Sequence, residues 1–151
     1  MRDCAAHTPE IPNAWAPHYP TWRREFERFD IHQKTILVGH SCGAGFLVRW
    51  LSENREIRVG RVVLVAPWID PEGEAGDFFH FEIDPDMASR TGGLAIFNSD
   101  NDGAVIQKSV EVLMKTVPHI FYRHFHNYGH FCASDLKSDA LPELLETVIE
   151  D

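Results

Sequence analysis

Thr35-Ile36-Leu37-Val38-Gly39-His40-Ser41-Cys42-Gly43-Ala44 is the stretch on which the fold turns. Thr35 to Val38 is short, continuous and β-branched, which predicts a strand buried on both faces, as in a parallel sheet. Gly39 ends it, and Ala44 to Ser52 carries Phe46, Leu47, Trp50 and Leu51 at helical spacing. A second buried run, Arg61 to Ala66, completes a β-α-β unit. Downstream, a long loop with Pro67, Pro71, Gly73, Gly76 and Pro85 leads to a third strand at Leu94 to Phe97. A helix from about Val105 to Lys115, a fourth strand near His119 to Phe125 and a last helix from about Leu141 to Ile149 follow. Upstream, the prolines between Thr8 and Pro20 predict an irregular loop. Thr21 then caps a helix through Phe29, with Trp22, Phe26 and Phe29 on one face. Strands alternating with helices predict an α/β fold: a mostly parallel sheet of about four strands with flanking helices.

The chain has 151 residues, 44% of them apolar, which suits one core and one domain over residues 1–151. Its formal net charge is −9, with no basic cluster longer than Arg23-Arg24, so a phosphate backbone would be repelled and nucleic acid is not an expected partner. No apolar run approaches the roughly 20 residues that cross a bilayer, and Met1-Arg2-Asp3-Cys4 lacks the apolar stretch of a signal peptide. The expectation is a cytoplasmic protein without a membrane partner. Cys4, Cys42 and Cys132 are odd in number and widely spaced, which predicts reduced thiols.

In open α/β sheets, reactive groups collect at the carboxyl ends of the strands. There the first strand runs into Gly39-His40-Ser41-Cys42-Gly43, and Gly-x-Ser-x-Gly between strand and helix is the pattern of a nucleophile elbow. Such a turn holds its serine in a strained conformation with the hydroxyl exposed. Side chains at positions 39 and 43 are expected to collide with neighbouring backbone. The Cys42 N–H, in the first turn of the following helix, would meet a developing oxyanion. A serine hydroxyl needs a base, and the base needs a carboxylate. Asn98-Ser99-Asp100-Asn101-Asp102-Gly103 follows the third strand and Asn127-Tyr128-Gly129-His130-Phe131 the fourth. Asp102 and His130 therefore stand at the required strand ends, in the chain order serine, carboxylate, histidine.

With these motifs the chain resembles the small serine hydrolases typified by retinoblastoma-binding protein 9 and the bacterial YdeN-like proteins, which adopt a compact α/β-hydrolase fold. The resemblance runs from about Asp3 to Val148. It rests on Thr35 to Ala44, Val62 to Ala66, Ser99 to Asp102 and Gly129 to Phe131. It implies that Ser41 is the nucleophile, Asp102 the carboxylate and His130 the base of a serine hydrolase, esterase-like, acting on a small ester or amide through an acyl-enzyme and requiring no cofactor. Alignment of the Ser-x-x-Asp turn favours Asp102 over the competing Asp100. Gly103 stands where the family usually has proline. The resemblance also implies a strand-helix-strand portion ahead of the matching stretch, which this chain lacks and whose turn normally supplies a second oxyanion donor; Cys42 N–H is then left alone. A truncated α/β-hydrolase fold of this kind exposes the edge of the nucleophile strand. The alternative expectation is a weakly active or inactive relative that binds a partner, or a second copy of itself, through that edge.

The remaining candidates have plainer readings. His119, His124, His126 and His130 lack a cysteine pair or carboxylate at metal-ligand spacing, so no metal is expected. His40 is read as a packing and hydrogen-bonding residue of the elbow, and Cys42 as a small buried helix residue. Trp68, Phe78, Phe79 and Phe81, in the loop after the second strand, are core residues or walls of a pocket for an apolar acyl or aryl group.

Overall fold

A computed structural model describes residues 5–149. Four strands, β1 (Ile36–His40), β2 (Arg61–Val65), β3 (Leu94–Ser99) and β4 (Phe121–Phe125), form one sheet in the order β1-β2-β3-β4. Every neighbouring pair is parallel, with Leu37 opposite Val62, Val62 opposite Leu94, and Ala95 opposite Phe121. The helices are α1 (Tyr19–Phe26), α2 (Cys42–Glu53), α3 (Ala104–Thr116), α4 (Ala133–Leu136) and α5 (Pro142–Ile149).

Alternation along the strands decides what each face meets. Leu37, Gly39, Val62, Leu64, Leu94 and Ile96 share the face that α2 covers, and Asn98 on that face bonds Gln107 of α3. On the other face, Arg61 of β2 and Arg123 of β4 reach the Thr147 and Glu143 carbonyls of α5. Thr147 lies in the last turn of α5, where the helix dipole favours the positive charge of Arg61, whereas Glu143 lies in the first turn, so the Arg123 contact is a plain hydrogen bond to a carbonyl. β2 and β3 are buried on both faces, with Val62, Val63, Leu64, Ile96 and Phe97 at 0–1% exposure.

The elements follow the sequence reading with four corrections. β1 is buried on one face only. It lies at the sheet edge among the described residues, and Val38 is 45% exposed. The helix expected from Thr21 begins at Tyr19 and ends at Phe26. His18 is its N-cap, the Thr21 hydroxyl bonds His18 Nδ1 at 2.8 Å, and Pro20 sits harmlessly in the first turn, where no N–H is needed. The short helix α4 went unpredicted. So did two 3-10 turns, Gly76–Phe79 and Met87–Arg90, inside the long loop. That loop is clasped to the end of α2 by Arg90. Its guanidinium bonds the Leu51, Asn54 and Ile57 carbonyls and, at 2.6 Å, Asp84.

Candidate active site

Gly39, one residue before the end of β1, lies under the start of α2, so closely that a Cβ there would lie 2.7 Å from Ala44 Cα and 2.8 Å from Gly43 O. No side chain fits between strand and helix at that point. Gly43 differs from the sequence expectation. A Cβ there meets nothing within 4 Å, whereas one on Gly45 would lie 1.9 Å from the Trp68 carbonyl. The second steric glycine is thus two residues further along, where the loop after β2 crosses α2.

Between them Ser41 adopts φ 54 and ψ −119, a left-handed conformation costly for a residue with a Cβ. The turn is locked through its backbone: Ser41 N–H donates to Val65 O at 2.9 Å, and the Ser41 carbonyl accepts from Gly45 and Trp68 N–H, both at 3.1 Å. Cys42 opens α2, so its N–H is one of the four without an intrahelical acceptor. Burial pushes the Cys42 thiol up to about 11, which keeps it protonated at neutral pH.

Ser41 Oγ lies 2.8 Å from His130 Nε2, and His130 Nδ1 lies 2.8 Å and 3.1 Å from the two oxygens of Asp102. A carboxylate can only accept, so the neutral imidazole carries its proton on Nδ1 and presents a bare Nε2 to the hydroxyl. The Asp102 side chain is 4% exposed and that of His130 31%. The carboxylate is therefore shielded while the imidazole edge stays open to an incoming molecule.

The competing carboxylate is committed elsewhere. Asp100 accepts from Asn127 N–H at 3.0 Å and from His126 Nδ1. Its neighbours hold the same loop: Tyr128 N–H donates to Ser99 Oγ at 2.9 Å and Gly129 N–H to Asn101 Oδ1 at 2.8 Å. His130 N–H donates to Asp135 of α4 at 3.0 Å. Four successive backbone donors are thus met by side chains, and the Asn98–Asp102 turn is a template for the loop that carries His130. Sequence reasoning missed Ser99, Asn101 and Asp135. A run of short polar residues at one strand end was the only visible signal, and it names no partner.

Of the four aromatic residues read as core residues or pocket walls, Trp68 is tied to the elbow by its backbone. Phe78 and Phe79 are buried core residues: Phe78 against Tyr19 and Trp22, Phe79 against Trp68. Phe81 packs half-buried on the same core. A concavity of about 300 Å³ lies instead on the α5 side of the sheet, between Val38, His40, Val65, Phe131, Leu136 and Leu144. Among the described residues no group of three or more His, Cys, Asp or Glu could hold a metal ion, Cys42 and Cys132 are free thiols, and no helix is long and apolar enough to cross a membrane. Cys4 lies outside the described residues.

The family model described as serine hydrolase matches residues 2–142. No curated protein matches the sequence. Among solved structures, the ydeN gene product of B. subtilis superposes with a TM-score of 0.70 at 19% identity, over 95% of this chain and 81% of that one. A bromoperoxidase from Bacillus anthracis gives 0.62 at 14% identity, over 88% and 74%. MGS-MChE2, an alpha/beta hydrolase enzyme from a lagoon-sediment metagenome, gives 0.58 at 18% identity, over 92% and 74%. At such identities the likeness establishes a shared α/β-hydrolase type of fold, and chemistry has to be argued from the site.

Proposed function

The chain belongs to the serine hydrolase family, and on that premise we propose that it cleaves a small ester or amide through an acyl-enzyme formed on Ser41. As Ser41 Oγ attacks the carbonyl carbon, His130 Nε2 takes its proton. Asp102 holds the imidazole by Nδ1–H and stabilises the imidazolium that forms. The carbonyl oxygen, now negative, is met by Cys42 N–H at the positive end of α2. His130 then gives the proton to the departing alkoxide or amine. In the second half it deprotonates the water that attacks the Ser41 ester and returns that proton to Ser41 Oγ as the acid departs. The continuous line Ser41 Oγ, His130, Asp102, with 2.8 Å at each join, carries this reading. The concavity bounded by His40, next to Ser41, and by Phe131, next to His130, is lined by Val38, Val65, Leu136 and Leu144 as well as Ser138 and Asp139, and we infer that it takes an apolar acyl group.

The test is covalent labelling with a fluorophosphonate followed by peptide mapping. One label, on Ser41, is expected, and none in Ser41→Ala. A label on another serine, or none on folded protein, overturns the assignment. Val38, exposed on the strand that forms the sheet edge among the described residues, favours a second reading, in which a weakly active or inactive chain binds a partner, or a copy of itself, along that edge.

A further inference from the structure

His40 has no step in that chemistry, yet its contacts lie on the part that must be placed most accurately. The loop carrying the base contains three left-handed residues, Asn127 (φ 60), Gly129 (φ 55) and Phe131 (φ 58). Its shape is held from outside. The N–H groups of residues 127–130 are anchored by the β3 turn and by Asp135 of α4. The carbonyl of His130 is anchored from the opposite side, by His40 Nε2 at 2.7 Å, with a weak thiol contact from Cys132 at 3.8 Å. The two imidazole rings lie 4.8 Å apart. His40 is the last residue of β1 and is bonded directly to Ser41. One hydrogen bond therefore ties the residue before the nucleophile to the backbone of the base.

We propose that His40 is a positioning residue whose Nε2–H, donated to the His130 carbonyl, ties the base loop to the nucleophile strand and sets the separation of His130 Nε2 from Ser41 Oγ. The proposal rests on the hydrolase reading and deepens it. A carbonyl oxygen accepts and cannot donate, so the His40 proton sits on Nε2 and Nδ1 is bare in the neutral ring. A second proton would enter at Nδ1 and place a positive charge 4.8 Å from the ring that must itself become an imidazolium. The titratable groups around His40 are His130, Asp102 beyond it, and Asp139, which shares the concavity wall. Desolvation by the packed loop, aided by His130, holds the His40 pKa below its ordinary value, against the upward pull of the His130 carbonyl and Asp102. His40 thus stays neutral at neutral pH and gains its proton only in acid. Uptake of a proton by His40 in acid disturbs the site beside the base, so the acid limb of the rate profile is steeper than one proton alone would make it.

Two variants and one spectrum test this. His40→Leu removes the donor and keeps apolar bulk. His40→Gln keeps an amide N–H at about the same reach and cannot titrate. In His40→Leu, kcat for an activated ester should fall about 10- to 100-fold with KM within about twofold, since misplacement by a fraction of an ångström acts on the transition state. His40→Gln should recover most of that loss, with an acid limb of one proton throughout. Imidazole ¹⁵N spectra of the wild type should show His40 as the Nε2–H tautomer, an observation independent of turnover. A His40 Nδ1–H tautomer, or equal kcat in wild type and His40→Leu, overturns the inference. Should His40→Leu not fold, an acid limb as steep in His40→Gln as in the wild type overturns it instead. Fluorophosphonate labelling separates the two levels. An unlabelled wild type sinks the hydrolase reading and the positioning role with it, whereas a wild type and His40→Leu labelled at the same rate sink the positioning role alone.

Discussion

Two carboxylates two residues apart on one turn have different work, and their variants should differ accordingly. Asp102 faces His130 Nδ1, whereas Asp100 faces Asn127 N–H and His126. Asp102→Asn keeps the shape but offers an N–H to a nitrogen that needs an acceptor, which turns the imidazole to the wrong tautomer. The expected loss in kcat is on the order of 10⁴-fold. Asp100→Asn should cost well under a tenth of that, through a looser base loop. Equal losses in esterase assays would reverse the assignment. Cys42 gives a second contrast. With its pKa pushed up to about 11 by burial, it holds little thiolate at pH 8, while Cys132 is exposed. Iodoacetamide at pH 8 should therefore modify Cys132 before Cys42 by a wide margin, as read by peptide mass.

At the level of elements, the strand-turn-helix unit was legible in the sequence because its constraints are local. A β-branched run, a glycine and a 3.6-residue pattern each act within a few residues, and β1, α2 and β2 fall within about two residues of expectation. Gly39 was legible for the same reason, since the atoms it avoids belong to Gly43 and Ala44. Gly45 was not, because the carbonyl it avoids belongs to Trp68, which tertiary packing brings there. The glycines yield a prediction. Gly39→Ala should destabilise by roughly 1–3 kcal/mol or more through overpacking. Gly43→Ala, with open space around it, should be neutral or stabilising by up to about 1 kcal/mol through helix propensity. Chemical denaturation of both variants checks the sign. The Asp84–Arg90 clasp was likewise invisible, being a tertiary pair inside a loop. Burial pushes the Asp84 carboxyl up, yet the Arg90 hydrogen bond, the Asp86 N–H and the charges of Arg90 and Arg55 outweigh it and hold the pKa below the ordinary value. A carboxylate depressed in the folded state stabilises above its unfolded pKa, near 3.9, and loses that contribution as pH falls through the folded value. Asp84→Asn leaves the Arg90 charge buried without its partner, at a cost of about 3–5 kcal/mol at pH 7. The gap between wild type and variant should begin to narrow as pH drops below the unfolded value, about 3.9, and close as it falls through the lower folded value, where the native carboxyl takes up its proton.

For the molecule as a whole, the site depends on three strands meeting at the carboxyl end of the sheet: β1 brings Ser41, β3 brings Asp102 and β4 brings His130. Chain order and strand ends were readable, but the backbone anchoring that sets the distances was not, because it runs between segments about 30 residues apart. The place of β1 at the sheet edge among the described residues bears on association. Val38→Lys places a charge on the exposed edge face, so any concentration-dependent growth in sedimentation coefficient should disappear in that variant. Growth that persists in Val38→Lys would place the contact elsewhere. Last, the template formed by the Asn98–Asp102 turn has a consequence for motion. Amides in a loop without helix or strand ordinarily swap their hydrogens for deuterium within seconds, yet those of Asn127, Tyr128 and Gly129 are each closed by a side chain of the β3 turn. They can exchange only when β3 and the His130 loop part, so their deuterium uptake should slow together, and His130 should come loose as one unit with the end of β3.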